Sequence, residues 1–257
     1  NRIILIGDPY QLPPIGEGRT FSDLCNYLNN EVPDAIISLK TVVRTIHSGD
    51  SDFLALASWF SGTKPDINAD EIFDKIQQGK LHGDLSVYIW KDESELKNVI
   101  ADVIDKELND DQLSLKEKIV KAIGVNDMTS AKTNPEVVEN FQVLSPVKNP
   151  VWGTYQLNSY FQEFTESNKI KYSTTIFPNK LYYGDKVIQL VNEKMKSYPS
   201  KRQQQLSNGQ IGFVSFANSQ SAQVFFSGIS NETFYFNAQN SDDTDPKIDL
   251  AYAITIH

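Results

Sequence analysis

Arg2-Ile-Ile-Leu-Ile-Gly-Asp-Pro-Tyr-Gln-Leu-Pro-Pro-Ile-Gly-Glu-Gly18 is the stretch on which the fold turns. Arg2 to Ile6 is a short, β-branched apolar run without alternation, the pattern of a strand buried on both faces of a parallel sheet. Gly7-Asp8-Pro9 then forces a turn, and Pro13-Pro14 holds the following backbone extended. In doubly wound sheets, ligands bind at the loops that leave the carboxyl ends of strands. An acid and an amide, Asp8 and Gln11, stand just past such an end. The same residues also suit an ordinary turn, so taken alone the stretch leaves both readings open.

The rest of the chain bounds the answer. Its 257 residues suffice for one large or two modest domains. A net charge of −9 argues against a protein held on nucleic acid by a broadly basic surface, though not against a groove with a few local donors. One cysteine, Cys25, excludes an intramolecular disulfide and suits a reducing, cytoplasmic setting. No apolar run approaches a membrane span, and no signal peptide is visible. Asn1 in place of an initiator methionine suggests an excerpt of a longer chain.

Along the chain, Ala35–Leu39 reads as a second strand, followed by Arg44 and a helix from about Ser51 to Phe60. Gly62 to Gly83 is polar, with a short helix near Asp70–Ile76. Leu85–Trp90 reads as a strand. Asp92 and Glu95 form a capping box ahead of a helix with Leu96, Val99, Ile100, Val103, Ile104 and Leu108 on one face. Leu115, Ile119 and Ile123 before Gly124 suggest another helix, and Val125 to Pro135 reads as loop. Phe141–Pro146 is a buried-type strand, and a helix begins near Thr154. Strand, loop and a glycine before a helix start outline a phosphate cradle. Gly184–Asn192 reads as a strand, Asn208-Gly209 as a hairpin, and Ile211–Phe216, Gln223–Phe226 and Thr233–Phe236 as strands of a small barrel. The basic run Lys194–Arg202 reads either as a solvated hairpin or as a contact surface, and Trp152 either as packing or as a base-stacking ring. Asp242, Asp243 and Asp245 read as a solvated acidic loop. His47 and His82 lack ligand-spaced partners, so no metal site is expected.

The string GDPYQLPPIGEG (residues 7–18) closely resembles motif III of superfamily-1 helicases of the RecD, Dda and TraA type. Further segments follow in that family's order. Arg44 matches motif IV. Leu144-Ser-Pro146 with Gly153-Thr154 and Leu157-Asn158 resembles motif IVa. Gly184-Asp-Lys-Val-Ile-Gln189 and Asn208-Gly-Gln-Ile-Gly212 resemble the segments around an inserted Src-homology-type barrel. Ala251-Tyr-Ala-Ile-Thr-Ile-His257 resembles the start of motif V. Two departures are Thr45, where relatives often carry glutamine, and Glu17, an acid in the tail of motif III.

The resemblance implies an α/β fold: portions of two RecA-like parallel-sheet domains with a small inserted antiparallel β-barrel. It divides the chain into residues 1–62 (end of the first domain), 63–84 (linker), 85–192 with 246–257 (second domain, incomplete) and 193–245 (barrel). The implied function is part of an ATP-dependent DNA helicase, moving 5′ to 3′ on single-stranded DNA, as in DNA repair and recombination. Gln11 and Arg44 would be catalytic, and Asp8, Gln11 and Arg44 would face ATP. Pro13, Pro14, Ser145, Pro146, Thr154, Asn158, Asn208, Thr255 and His257 would lie along the DNA. No GxxxxGK[ST] loop occurs in the sequence, so the lysine cradle and the Mg ligands are not among these residues, and the chain alone is expected to be inactive. The alternatives are a non-catalytic nucleic-acid-binding or scaffold module of helicase-like fold, and an RNA helicase of the same superfamily.

Overall fold

The computed structural model describes residues 3–10, 18–39, 51–60, 70–81, 83–108, 110, 112–166, 173–176, 179–238 and 246–255. They fall into two compact units, Asn1–Ile89 and Trp90–His257.

In the first unit, three helices form among the described residues: α1 (Thr20–Glu31), α2 (Asp52–Ser58) and α3 (Glu71–Gln78). Ser51 caps α2, its hydroxyl accepting from the Leu54 N–H at 3.0 Å. Gly79, with φ of 63°, ends α3 in the left-handed conformation that glycine adopts without a Cβ penalty. The two helices are joined by the Lys75 ammonium on the buried Asp52 carboxylate, 2.7 Å, and by edge-to-face packing of Trp59 on Phe73.

The apolar segments read as strands in this unit form no ladder among the described residues. Ile3–Ile6 forms no regular element, with Ile4 at 86% and Ile6 at 95% exposure. Pro33–Ala35 is a 3-10 turn, after which Ile37 and Leu39 also face outward. Leu85–Trp90 is likewise unpaired. A strand is stable only when neighbours take up its N–H and C=O groups. The β-branched runs carry the propensity, but no described segment supplies the pairing.

The second unit is built differently. Helices α4 (Glu93–Leu108), α5 (Leu115–Ala122), α6 (Met128–Thr133) and α7 (Thr154–Glu166) surround strands β1 (Val143–Leu144), β2 (Ser173–Ile176), β3 (Asn179–Tyr182), β4 (Lys186–Gln189), β5 (Glu193–Lys196), β6 (Gln203–Leu206), β7 (Ile211–Ala217), β8 (Ser221–Phe226), β9 (Phe234–Asn237), β10 (Ile248–Leu250) and β11 (Ala253–Ile254). β10-β4-β7-β8-β9 form a five-stranded antiparallel sheet; β2-β3 and β5-β6 are two-stranded hairpins, and β1 pairs with β11 in parallel. This is mixed α/β, with a half-barrel sheet and, among the described residues, only a two-stranded parallel element. The antiparallel sheet takes β4 and β10 from either side of residues 193–245.

Local chemistry explains the helix starts. Asp92 Oδ1 accepts from the Glu95 N–H at 3.0 Å, but the Glu95 carboxylate returns to Lys91, not Asp92, at 2.7 Å. Ser114 and Glu117 make a complete capping box for α5, which the sequence pattern had not singled out. Val125 to Pro135 is not all loop: Asp127 accepts from the N–H groups of Thr129 and Ser130 and starts α6. Six residues are too few to show a helical period. Asn208-Gly209 is a turn, with Gly209 at φ 88°, but it does not close a hairpin, because β6 pairs with β5 and β7 with β4 and β8.

The main apolar core of the unit includes Ile104, Ile119, Ile123, Val138, Phe161, Phe213, Val224 and Tyr252, and Leu96, Leu157 and Ala253 form a smaller cluster. Phe161 of α7 stacks on Tyr252 at 6.0 Å. Several buried polar groups beside the main core are paired. Asp185 accepts from the Tyr252 hydroxyl (2.7 Å), the Gln162 amide (2.8 Å) and the Tyr182 N–H (2.7 Å). Lys186 donates to the Phe141 carbonyl at 2.6 Å. The Gln162 bond ties α7 to the sheet.

Candidate nucleic-acid interface

The end of β1, the loop 145–153 and the start of α7 form the site. The Ser145 N–H donates to the Ile254 carbonyl at 3.0 Å, extending the β1–β11 ladder by one bond. The buried Ser145 hydroxyl lies 2.7 Å from the Trp152 carbonyl and accepts from the Val147 N–H at 3.3 Å. The loop therefore closes on its own first residue. Gly153 is required by a close approach: a Cβ there would stand 2.3 Å from the Lys148 carbonyl oxygen.

That closure settles the phosphate-cradle expectation. The N–H groups of Thr154 and Tyr155 donate to the carbonyls of Val147 and Lys148 at 3.0 and 3.2 Å. The first two amides of α7, among those an anion would use, are already taken by the loop.

Behind the loop, Asn158 clamps β11. Its Nδ2 donates to the carbonyls of Leu250 (3.2 Å) and Ala253 (3.0 Å), and its Oδ1 accepts from the Ala253 N–H (2.8 Å). Asn158 and Thr154 are 7% and 6% exposed. Ser145, Thr154 and Asn158 thus come together, but as the frame beneath the surface. Pro146, Lys148, Asn149 and Thr255 line a cavity of about 480 Å³ with Val147 and Pro150. Two segments read as separate motifs, more than a hundred positions apart in sequence, meet there. Burial pushes the neighbouring Asp249 carboxyl up; the Leu250 N–H, the Asn179 amide and the Lys148 charge pull against it.

Other expected residues lie elsewhere. Asp8 accepts from the Tyr10 N–H at 2.9 Å, a local turn bond. Asn208 sits exposed in the β6–β7 turn, its N–H donating to Asn192 Oδ1. Gln11, Pro13, Pro14, Arg44 and His257 lie outside the described residues, as does the acidic loop at 242–245. No cluster of metal-ligating side chains occurs among the described residues.

Two residues of the site carry no clear mark in the sequence. Trp90 packs against Trp152 with ring centroids 5.5 Å apart, and Trp152 remains 42% exposed beside the exposed Tyr155. Lys148 brings a cation to the cavity lining. The only sequence signal for the Trp90 contact was its position between a β-like run and a helix cap, which does not name a partner sixty residues on.

No family model matches the chain. An uncharacterized protein of Methanocaldococcus jannaschii is 24% identical over 270 residues, covering 99% of this chain and 23% of the relative. The chain therefore spans about a quarter of that relative's length. Among solved structures, a double mutant of the Pif1 helicase from Bacteroides aligns with 96% of this chain and 51% of its own, at 16% identity and a TM-score of 0.28. A score that low carries no argument. Among the described residues, no helix is long and apolar enough to cross a membrane.

Proposed function

We propose that these residues are part of an ATP-dependent DNA helicase of the RecD and Dda type, and that they carry one side of its nucleotide cleft and part of its single-stranded DNA track. The observation that carries the reading is the string Gly7-Asp-Pro-Tyr-Gln-Leu-Pro-Pro-Ile-Gly-Glu-Gly18, followed in family order by Arg44, Leu144-Ser-Pro146, Gly184-Asp185 and Thr255. The meeting of Pro146, Lys148 and Thr255 on one exposed cavity supports it, because those segments would then act on the same strand.

In this proposal the catalytic work of the chain falls to two side chains. Gln11 is neutral and both donor and acceptor, suited to holding a water or sensing a terminal phosphate. Arg44 offers a fixed fork of donors for charge that develops during phosphoryl transfer, a role worth about 10³–10⁵ in rate. ATP with Mg would supply the phosphoryl chemistry, and the Mg ligands would belong to a longer parent protein. On the DNA side, Lys148 would hold a phosphate and Trp152, propped by Trp90, would stack on a base.

The test is binding of a labelled oligothymidylate by the 257-residue chain. Trp152→Ala should weaken it about 5- to 150-fold, the range for loss of one stacked base. Affinity unchanged in both Trp152→Ala and Lys148→Gln would refute the DNA track.

A further inference from the structure

We propose a second single-strand contact surface, on the outer face of the β5–β6 hairpin. It is distinct from the loop at 145–153 and does not depend on it. The chain as a whole is acidic, with 33 Asp and Glu among 257 residues, yet no acid occurs from Lys194 through Asn231. The cations of that run, Lys194, Lys196, Lys201 and Arg202, are concentrated at one hairpin.

The strand pattern orders them. From Glu193 to Tyr198 the side chains alternate, with Lys194, Lys196 and Tyr198 exposed and Ser197 buried. Lys194 and Lys196 therefore share one face, repeating about every 6.7 Å along the strand, with Tyr198 one step further in the same direction. Across the hairpin, Gln205 and Gln203 stand opposite Lys194 and Lys196 on that face. Lys201 and Arg202 sit in the closing turn, where the Lys201 N–H donates to the Ser197 carbonyl. Tyr198, 51% exposed, meets Tyr235 of β9 edge to face at 6.3 Å, and Tyr235 is itself 44% exposed.

Among the described residues, the two acids that flank this run in sequence each have a partner. Glu193 is paired with Lys247 at 2.7 Å. Glu232 accepts from the Ser200 N–H at 3.3 Å and feels the Arg202 charge. What remains is a row of lysines ending at two exposed rings. Ammonium groups at regular spacing suit a phosphodiester backbone, and rings beside them suit unstacked bases. A duplex hides those base faces, and an acidic peptide has none, so the occupant is single-stranded nucleic acid.

The experiment is anisotropy titration of the whole chain with a labelled oligothymidylate of about 20 nucleotides, repeated between about 50 and 200 mM salt. The Lys194→Gln, Lys196→Gln double variant should flatten the slope of log affinity against log salt by about 1.4, roughly 0.7 for each phosphate left without its lysine. Tyr198→Ala should weaken binding about 5- to 150-fold at fixed salt and leave the slope unchanged. Urea midpoints matching the parent chain show that each variant is folded. Slopes and affinities equal to the parent in these variants would overturn the proposal, even if Trp152→Ala weakens binding and so supports the loop track. Weakening in the hairpin variants alone supports the hairpin and removes the loop. Absence of any binding by the parent chain overturns both.

Discussion

Asn158→Ala separates a frame residue from a ligand residue. A two-residue ladder between β1 and β11 holds few bonds, and Asn158 contributes three more to the same segment. At about 1 kcal/mol net per hydrogen bond, their loss costs about 3 kcal/mol. Ala253 is 1% exposed, so water cannot readily replace the amide at its N–H. An unpaired buried group adds about 1–3 kcal/mol, bringing the expected loss to about 4–6 kcal/mol of a typical total of about 5–15. Equilibrium urea unfolding, followed by tryptophan emission, measures it. Asn158→Asp sharpens the test. Its ionised carboxylate keeps the acceptor for Ala253 N–H but turns an oxygen toward two carbonyls, which raises its folded-state pKa above the unfolded value. The penalty relative to the parent is then full at neutral pH and shrinks as acid protonates the group below that raised value. A loss under about 1 kcal/mol in Asn158→Ala, or a pH-independent penalty in Asn158→Asp, would refute the clamp.

Two further outcomes follow from the same packing. Burial pushes the Lys186 ammonium down from 10.5 to about 8, against the opposing charge of Glu139. Between those values the unfolded chain holds more protons, so stability should rise with pH across that window by about 3 kcal/mol in all; Lys186→Met should abolish the rise, and urea midpoints from neutral to alkaline pH that climb equally in both proteins would contradict it. Gly153→Ala forces a Cβ against the Lys148 carbonyl, so it should cost about 1–3 kcal/mol and weaken oligothymidylate binding together, checked by unfolding and anisotropy on one preparation.

Much of the second unit was legible in the sequence because its signals are local. Asp92, the one-faced apolar run in α4 and the stop at Gly124 each act within a few residues, and α4 and α5 appear where they point. So do β7, β8 and β9, whose apolar runs are bounded by turns. What was not legible depends on partners. Ile3–Ile6 has the composition of a buried strand, but burial is a property of neighbours. Asn208-Gly209 marks a turn correctly, yet which strands it joins is set by β4, about twenty residues upstream. Asn158 lies in the helix expected from about Thr154, but only the fold shows that its amide is spent on backbone. The meeting of Trp90 with Trp152 is set by how α4 and the 145–153 loop pack, which no local pattern encodes.

The most direct test of the functional account is DNA-stimulated ATP hydrolysis by a longer parent protein containing these residues, compared with its Arg44→Ala variant and with the 257-residue chain alone. Single-stranded DNA should stimulate the parent. Arg44→Ala should lose turnover by about 10³-fold or more while keeping nucleotide affinity, and the chain alone should be inactive. Undiminished turnover in Arg44→Ala, or no hydrolysis by the parent in the presence of single-stranded DNA, would contradict the account.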